Sequence, residues 1–515
     1  MLLLEWLVPL LIGAVALTRL ADRIGVPYPA FLALGGAVLA LLPQGPNIVM
    51  EPDLALALFV APVIVDTAYD ASLRDMRTNW LSISLLVVAA VGVTTAAVAI
   101  AARAMLPDLP WSAAIALGAI VAPPDATAAT AILRQVHLPF RLSTILGGES
   151  LLNDASALFV YRLAVGAFAA GGISPGYLAT SFVLVLPASL LAGWLTARAT
   201  TNLMGQIDEI GPAVIMQFSL TFGIWMLAEE LQLSAVLVLV AYAATVANNG
   251  PRRFRARLRL PTFSVWEVVI FVLNVLAFVL IGLQLRPILE AMSGQRLAFA
   301  LSFAFAILLV CILARLAWVA FYGTIRARPL GRIGRLPQGV KDGRSFARGG
   351  VVIGWCGMRG IVTLAAAFAL PENVPHRDLM LLTAFVVVLG TLTIQGMTLK
   401  PLVQWAGLED DDPVGREIGR ARTEINRAAL SAIESEKGAA ADGLRAEYAE
   451  ILRLAEDHPD GFAPPQTSQD ALRLRSIEAA RSRLHEMRAS GDIGNDAFSR
   501  LEFELDRAEL HASAV

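Results

Sequence analysis

Thirteen apolar stretches of bilayer-spanning length punctuate the first 404 residues, and this fixes what the chain can fold into. A membrane crossing takes about 20 mostly apolar residues, and in lipid the backbone must satisfy its own hydrogen bonds. The stretches fall near 2–19, 27–43, 53–69, 80–102, 110–133, 142–170, 175–197, 210–228, 231–248, 262–285, 297–322, 349–370 and 379–403. The second is short, and the third carries Asp66 inside it. Composition agrees: 56% of residues are apolar, 16% are charged, and mean hydropathy is +0.63. Such values exclude a disordered chain, a collagen-like chain and an ordinary cytosolic enzyme. The expected fold is an all-α polytopic membrane protein with about 13 transmembrane helices and a helical tail.

Connecting loops give the orientation. Counted from the N-terminus, with Arg19 taken into the first loop, odd-numbered loops hold 19 basic residues and even-numbered loops hold 4. Cytoplasmic loops carry the excess of Lys and Arg, so the N-terminus is expected outside and the C-terminus inside. The clusters at Arg252, Arg253, Arg255, Arg257 and Arg259, and from Arg326 to Arg348, dominate the count. The first stretch lacks a basic leader, and its Arg19 and Arg23 follow the apolar run. It therefore reads as an uncleaved span and not as a signal peptide. Net charge is +7 over residues 1–404 and −9 over 405–515, which puts a domain boundary near Trp405. The tail opens on the acidic run at 409–412. It then shows two helical patterns, one through Ile418, Ile425, Ala429, Ala432 and Ile433, the other through Leu474, Ile477, Leu484 and Met487. A polar stretch at 458–470 separates them. Two cysteines, Cys311 and Cys356, make no disulfide framework or metal cluster, and the five histidines lie outside the spans.

Ionisable groups inside spans are costly and tend to be functional. This chain has Asp66, Asp125, Glu149, Asp154, Arg162, Glu267, Arg315 and Arg359. Glu267 and Arg315 read as close enough to span ends to snorkel. In the fifth span Pro123 and Pro124 precede Asp125. Neither proline has an N–H, so the helix breaks at membrane depth, where irregular backbone is tolerated only along a cavity or under protein cover. Freed carbonyls and a carboxylate suit a hard cation. A plain kink with Asp125 capping the resumed helix is the alternative. In the sixth span Glu149 and Asn153 are four apart, as are Ser150 and Asp154, so one helical side is rich in oxygen. In the twelfth, Gly357 and Gly360 flank Arg359, which cannot shed its charge and so calls for a buried counter-ion, Glu149 or Asp125. Spans five and twelve run in opposite directions. Two interrupted helices so placed point to a transporter site at a repeat interface, although no repeat is visible in the sequence.

The segments at 57–80, 119–133, 142–164, 271–285, 355–371 and 386–403 resemble, in order, the bacterial monovalent cation:proton antiporter-1 family, the sodium/proton exchangers. GGESLLNDA and GMRG are the specific stretches, and the PPDA form of the fifth-span motif is similar to the bacterial branch. The resemblance implies a homodimer with inverted repeats, a mobile six-helix core and unwound helices crossing at spans five and twelve. By position, Asp154 resembles the carboxylate that binds cation and proton. Asn153 resembles the asparagine of electroneutral members, Asp125 the aspartate of the unwound helix, and Ser150 a site residue. Glu149 and Arg359 resemble a structural ion pair. Asp66 stands where the family usually has Glu, a departure that bears on gating or ion access.

The expected function is therefore secondary antiport of a monovalent cation, Na⁺ first with K⁺ and Li⁺ as alternatives, against H⁺. The exchange is expected to be electroneutral and to serve pH and cation homeostasis in the cell inner membrane. Asp154 and Asp125 would hold the transported ion. No cofactor, enzymatic activity or nucleic-acid partner is expected. Two other readings were weighed against it. One is a cation-selective channel, which favours weak multi-site binding. The other is an intramembrane protease using Ser150 or the Asp125 and Asp154 pair, but no histidine lies inside a span to act as base for a serine.

Overall fold

In the computed structural model, residues 2–24, 27–42, 51–70, 72–125, 139–172, 181–249, 256–290, 295–327, 343–408, 413–457 and 468–512 are described. All regular structure among them is helical. Several sequence expectations lie outside the described residues: Arg252, Arg253 and Arg255, the stretch 328–342, the second half of the fifth span (126–133), the acidic run 409–412 and the linker 458–467. Contacts divide the chain into two units, Met1–Glu409 and Asp410–Val515.

The first unit holds α1 (Leu2–Ile24), α2 (Tyr28–Leu41), α3 (Ala61–Asp70), α4 (Leu73–Thr78), α5 (Val91–Met105), α6 (Trp111–Val121), α7 (Phe140–Ala169) and α8 (Leu186–Met204). It continues with α9 (Ile210–Glu230), α10 (Ala235–Asn249), α11 (Ala256–Leu283), α12 (Leu285–Glu290), α13 (Gln295–Ala327), α14 (Gly343–Trp355), α15 (Ile361–Phe368) and α16 (Arg377–Ala406). Short π-helical turns lead into α3, α5 and α8. Each of the thirteen apolar stretches contains helix. Length and composition alone qualify seven of the described helices as crossings and leave five shorter apolar ones. The twelfth stretch is split between α14 and α15.

Local chemistry sets the helix ends. Pro110 and Pro139 precede α6 and α7, where a missing N–H costs nothing. Ser72 caps α4 by accepting from the Asp75 N–H at 3.3 Å. Gly407, at φ +56°, terminates α16 in the left-handed conformation. Inside the spans, threonines answer the lack of water by donating to the carbonyl one turn back, as Thr67 does to Val63 and Thr383 to Leu379.

Small residues let helices touch backbone to backbone, the usual packing device in lipid. Gly36 of α2 lies against the Val279 carbonyl of α11, and Gly282 answers against Ala33. Gly118 of α6 rests on Thr95 of α5, and Gly193 of α8 on Val238 of α10. Two apolar cores result. One gathers α2, α5, α6, α11, α13 and α16; the other gathers α3, α9, α10 and part of α11. The first contains Tyr161 and Ala164 and the second Leu151 and Ala155, so α7 lies in both.

The tail unit is two helical hairpins: α17 (Pro413–Ala432) with α18 (Ala439–Asp457), and α19 (Ser468–Ala489) with α20 (Asn495–Ala512). Leu484 and Phe498 are buried in the second hairpin, and Leu474, Ile477 and Met487 are half-buried. Arg481 of α19 reaches three carboxylates of α20: Glu502, Asp506 and Glu509. Arg473 meets Glu447 at 3.1 Å and ties the hairpins together. Ile418 and Ile425 of the first pattern are exposed.

The α2–α11 contact yields a prediction. Gly282→Leu should force the two backbones apart, and overpacking of this kind costs about 1–3 kcal/mol or more. The expected result is a lower thermal unfolding midpoint in detergent than Gly13→Leu, a position with open space around it.

Candidate functional site

Helix α6 ends at Val121 because Pro123 and Pro124 have no N–H to give to the preceding turn. The next donor, the Asp125 N–H, leaves the helix altogether and bonds the Met358 carbonyl at 2.6 Å. Met358 belongs to the second break. α14 stops at Trp355, residues 356–360 have no regular structure, and α15 resumes at Ile361. The two interrupted helices therefore meet at their breaks. Gly360 is required there by close approach, since a methyl group on it would overlap the Asp125 carboxylate.

Ending a helix in lipid leaves carbonyls without donors and a negative dipole end. Arg359 supplies both needs for α6. Its Nε donates to Val121 O at 2.9 Å and its Nη2 to Ala122 O at 3.4 Å, while Nη1 turns back to Gly357 O. The Cys311 thiol adds a second donor to Val121 O at 3.2 Å. The Arg359 N–H is in turn held by Thr391 Oγ1 of α16 at 3.0 Å. Arg359 is fully buried.

The expected pairing of Glu149 with Arg359 is corrected by this geometry. Glu149 pairs with Arg315 in a two-pronged ion bridge, 2.5 Å from Nη1 to Oε1 and 2.9 Å from Nη2 to Oε2. Both side chains are only 2% exposed. Arg359 finds carbonyl oxygens and a helix terminus instead, and these compensate a guanidinium without a facing carboxylate. Arg315 does the equivalent service at the other break. Its Nη2 also reaches Ile353 O, near the end of α14, at 3.2 Å, and Gly357 leaves room for its side chain. The expectation that Arg315 snorkels is likewise overturned, while Glu267 is exposed on α11. The missed signal was depth. The apolar run LAWVAF after Arg315, residues 316–321, adds nearly two turns, about 9 Å of helix.

α7 brings the remaining candidates to the crossing. Asn153 is fully buried, and neither its amide oxygen nor its amide nitrogen has a hydrogen-bond partner among the described residues. Ser150 and Asp154 are half-buried on the neighbouring stripe. Asp125 and Asp154 lie near enough for their carboxyl groups to interact electrostatically. Pro123, Pro124, Gly357 and Gly360 are all buried. Asp66 is half-buried on α3, which packs against α7. Two residues that the sequence reading did not single out, Thr391 and Cys311, hold the crossing in register.

The set now reads as two guanidinium groups, Arg315 and Arg359, against three carboxyl groups, Glu149, Asp125 and Asp154. Fully ionised, it carries one negative charge in excess and is one positive charge short of balance. Its oxygen groups are carboxylate, amide and hydroxyl, which suit a small cation. An unpaired buried amide costs free energy unless something occupies it.

Glu149→Gln should strand the buried Arg315. Removing one partner of a buried pair costs about 3–5 kcal/mol. Thermal unfolding in detergent should drop well below that of the wild type, and the double variant with Arg315→Met should recover part of the loss. Gly360→Ala should push the Asp125 carboxylate aside and lower cation binding, measured by calorimetry, with a smaller fall in unfolding temperature than Glu149→Gln.

The comparisons with known proteins fit this geometry. The family model for the sodium/hydrogen exchanger transmembrane region matches residues 8–405. An uncharacterised Na⁺/H⁺ exchanger of Mycobacterium tuberculosis is 30% identical, over 98% of this chain and 95% of its own length. A sodium, potassium, lithium and rubidium/H⁺ antiporter of Bacillus pumilus is 27% identical, over 94% of this chain and 74% of its own. In fold, the chain is similar to the sodium proton antiporter of Methanocaldococcus jannaschii, with a TM-score of 0.60 over 78% of this chain and 97% of that one, at 15% identity.

Proposed function

This chain belongs to the sodium/hydrogen exchanger family, and on that premise we propose that it exchanges a monovalent cation for H⁺ at Asp154. The carrying observation is the charge set at the crossing, one positive charge short of neutral around a buried unpaired amide. One Na⁺ or one proton closes it, and the two exclude each other. Burial disfavours an uncompensated charge, so the site is stable when occupied and costly to move when empty. If the site changes sides only when occupied, coupling follows without direct contact between the two ions. One positive charge travels each way, so the exchange is electroneutral.

Asp154 is the exchanging carboxylate in this reading, with Asp125 as the second acid and Asn153 and Ser150 as neutral oxygen donors. Asn153 contributes ligands without a second titratable charge. Arg359 and the Glu149–Arg315 pair do not touch the ion. They hold the two broken helix ends, and so the distance between Asp125 and Asp154. Na⁺ is the first candidate cargo, with K⁺ and Li⁺ accepted by the same oxygen chemistry. Asp66 serves ion access from α3. The protein works as a homodimer in the inner membrane, with residues 1–404 as the transport domain, the N-terminus outside and the 405–515 tail cytoplasmic.

The test is dissipation of a preset pH gradient in proteoliposomes on adding Na⁺, K⁺ or Li⁺ separately. Wild-type protein should respond to at least one cation, without dependence on membrane potential. Asp154→Asn should abolish the response while leaving size-exclusion behaviour and unfolding temperature close to wild type. Retained activity in that variant would remove Asp154 from the mechanism. Current without a proton gradient would favour the channel reading.

A further inference from the structure

Arg162, toward the C-terminal end of α7, is a charge of the sixth span that the exchange site leaves unused. It lies on α7 eight residues beyond Asp154, about two turns along the same helix. Leu158, one turn before it, packs against both apolar cores, so this stretch of α7 is the seam between them. Arg162 leaves the seam and reaches the turn between α9 and α10. Its Nη1 donates to Leu233 O at 3.0 Å, and its Nη2 pairs with the Glu229 carboxylate.

That turn is a firm anchor. The Leu231 and Leu233 N–H groups close back on Leu227 O and Ala228 O, and Gln232 takes the left-handed conformation at φ +56°. The Ser234 N–H donates to the buried Ser189 Oγ of α8 at 3.0 Å, which fastens the turn to a third helix. Arg162 thus ties the helix that carries Asp154 to the α8–α10 group. The contacts of Arg359 and of Arg315 on α13, by contrast, stay among α6, α7, α14, α16 and the 356–360 stretch. Trp355 Nε1 to Thr398 Oγ1, at 2.8 Å, and Arg377 to the Leu370 carbonyl, at 2.9 Å, also stay within α14–α16.

We propose that Arg162 is a positioning residue: with Glu229 and the Leu233 carbonyl it latches α7, and Asp154 with it, against the α9–α10 turn. The latch releases when the site turns to the other face. The inference rests on the antiport reading, because only alternating exposure requires α7 to change its relation to this turn. Both side chains of the pair are more than 40% exposed. The pair lies at the turn that joins two spans, where water can replace it at modest cost, as a contact remade in every cycle requires.

The test uses purified full-length protein carrying Leu158→Cys at the seam. The native Cys311 and Cys356 are fully buried, and protein without the added cysteine serves as the blank. A water-soluble maleimide should label Cys at 158 slowly, and Arg162→Gln should raise the labelling rate about tenfold by shifting the population of the latched state. Glu229→Gln should do the same, and the two together should add little beyond either alone. The charge swap, Arg162→Glu with Glu229→Arg, should restore both slow labelling and cation-driven pH-gradient dissipation in proteoliposomes. Background labelling in both single variants would overturn the latch, and so would additive effects in the double variant. The two readings fail separately. If no variant nor the wild type couples cations to protons, antiport fails whatever the labelling. If wild type exchanges but labelling ignores Arg162, only the latch fails.

Discussion

A helix that stops inside a hydrocarbon layer must find donors for its last carbonyls without water, and at this crossing two arginines supply them. Arg359 closes the end of α6 at Val121 and Ala122, and Arg315 reaches Ile353 near the end of α14. Everything else at the site follows from those two attachments. Two guanidinium groups can be buried there only if carboxylates accompany them. Glu149 balances one directly, and Asp125 and Asp154 bring the remainder to one negative charge in excess. A site that must end its helices with cations therefore acquires an affinity for one more.

The glycines serve the same constraint from the backbone side. Gly360 lets the Asp125 carboxylate lie against the non-helical 356–360 stretch, and Gly357 lets the Arg315 chain pass. The pairs Gly36 with Gly282, and Gly118 against Thr95, bring whole helices close enough to hold these contacts in place. α7 then belongs to both apolar cores, which puts Ser150, Asn153 and Asp154 where the two groups of helices meet. A carboxylate placed at such a seam changes its surroundings when either group shifts.

Much of this was legible in the chain. The double proline before Asp125 announces a break, and the break is there; the GMRG glycines announce a second, and it faces the first. The i, i+4 spacing of Glu149 with Asn153 and of Ser150 with Asp154 placed four polar groups on one side of α7. What failed was the partnering of charges. Reading Arg359 as needing a carboxylate overlooked that a broken helix end is itself an anionic acceptor. Reading Arg315 as close to a span end overlooked the apolar residues 316–321 that carry it inward. The tail shows the same division. Leu474, Ile477, Leu484 and Met487 face its second hairpin as their spacing suggests, whereas Ile418 and Ile425 follow the same period and remain exposed. Periodicity names a face but not what covers it.

The sequence by itself determined that the chain crosses a membrane many times, where its helices break, and which acids lie at membrane depth. Those follow from hydropathy, from prolines without an N–H and from helical period, all of which are properties of neighbouring residues. Only the tertiary structure decided that Glu149 belongs to Arg315, that Arg359 belongs to the end of α6, and that Arg162 reaches the turn before α10. These partners are 166, more than 230 and about 70 residues away. No local rule chooses among several arginines for one carboxylate. The choice is made by which helix ends are left with bare carbonyls once the bundle has packed.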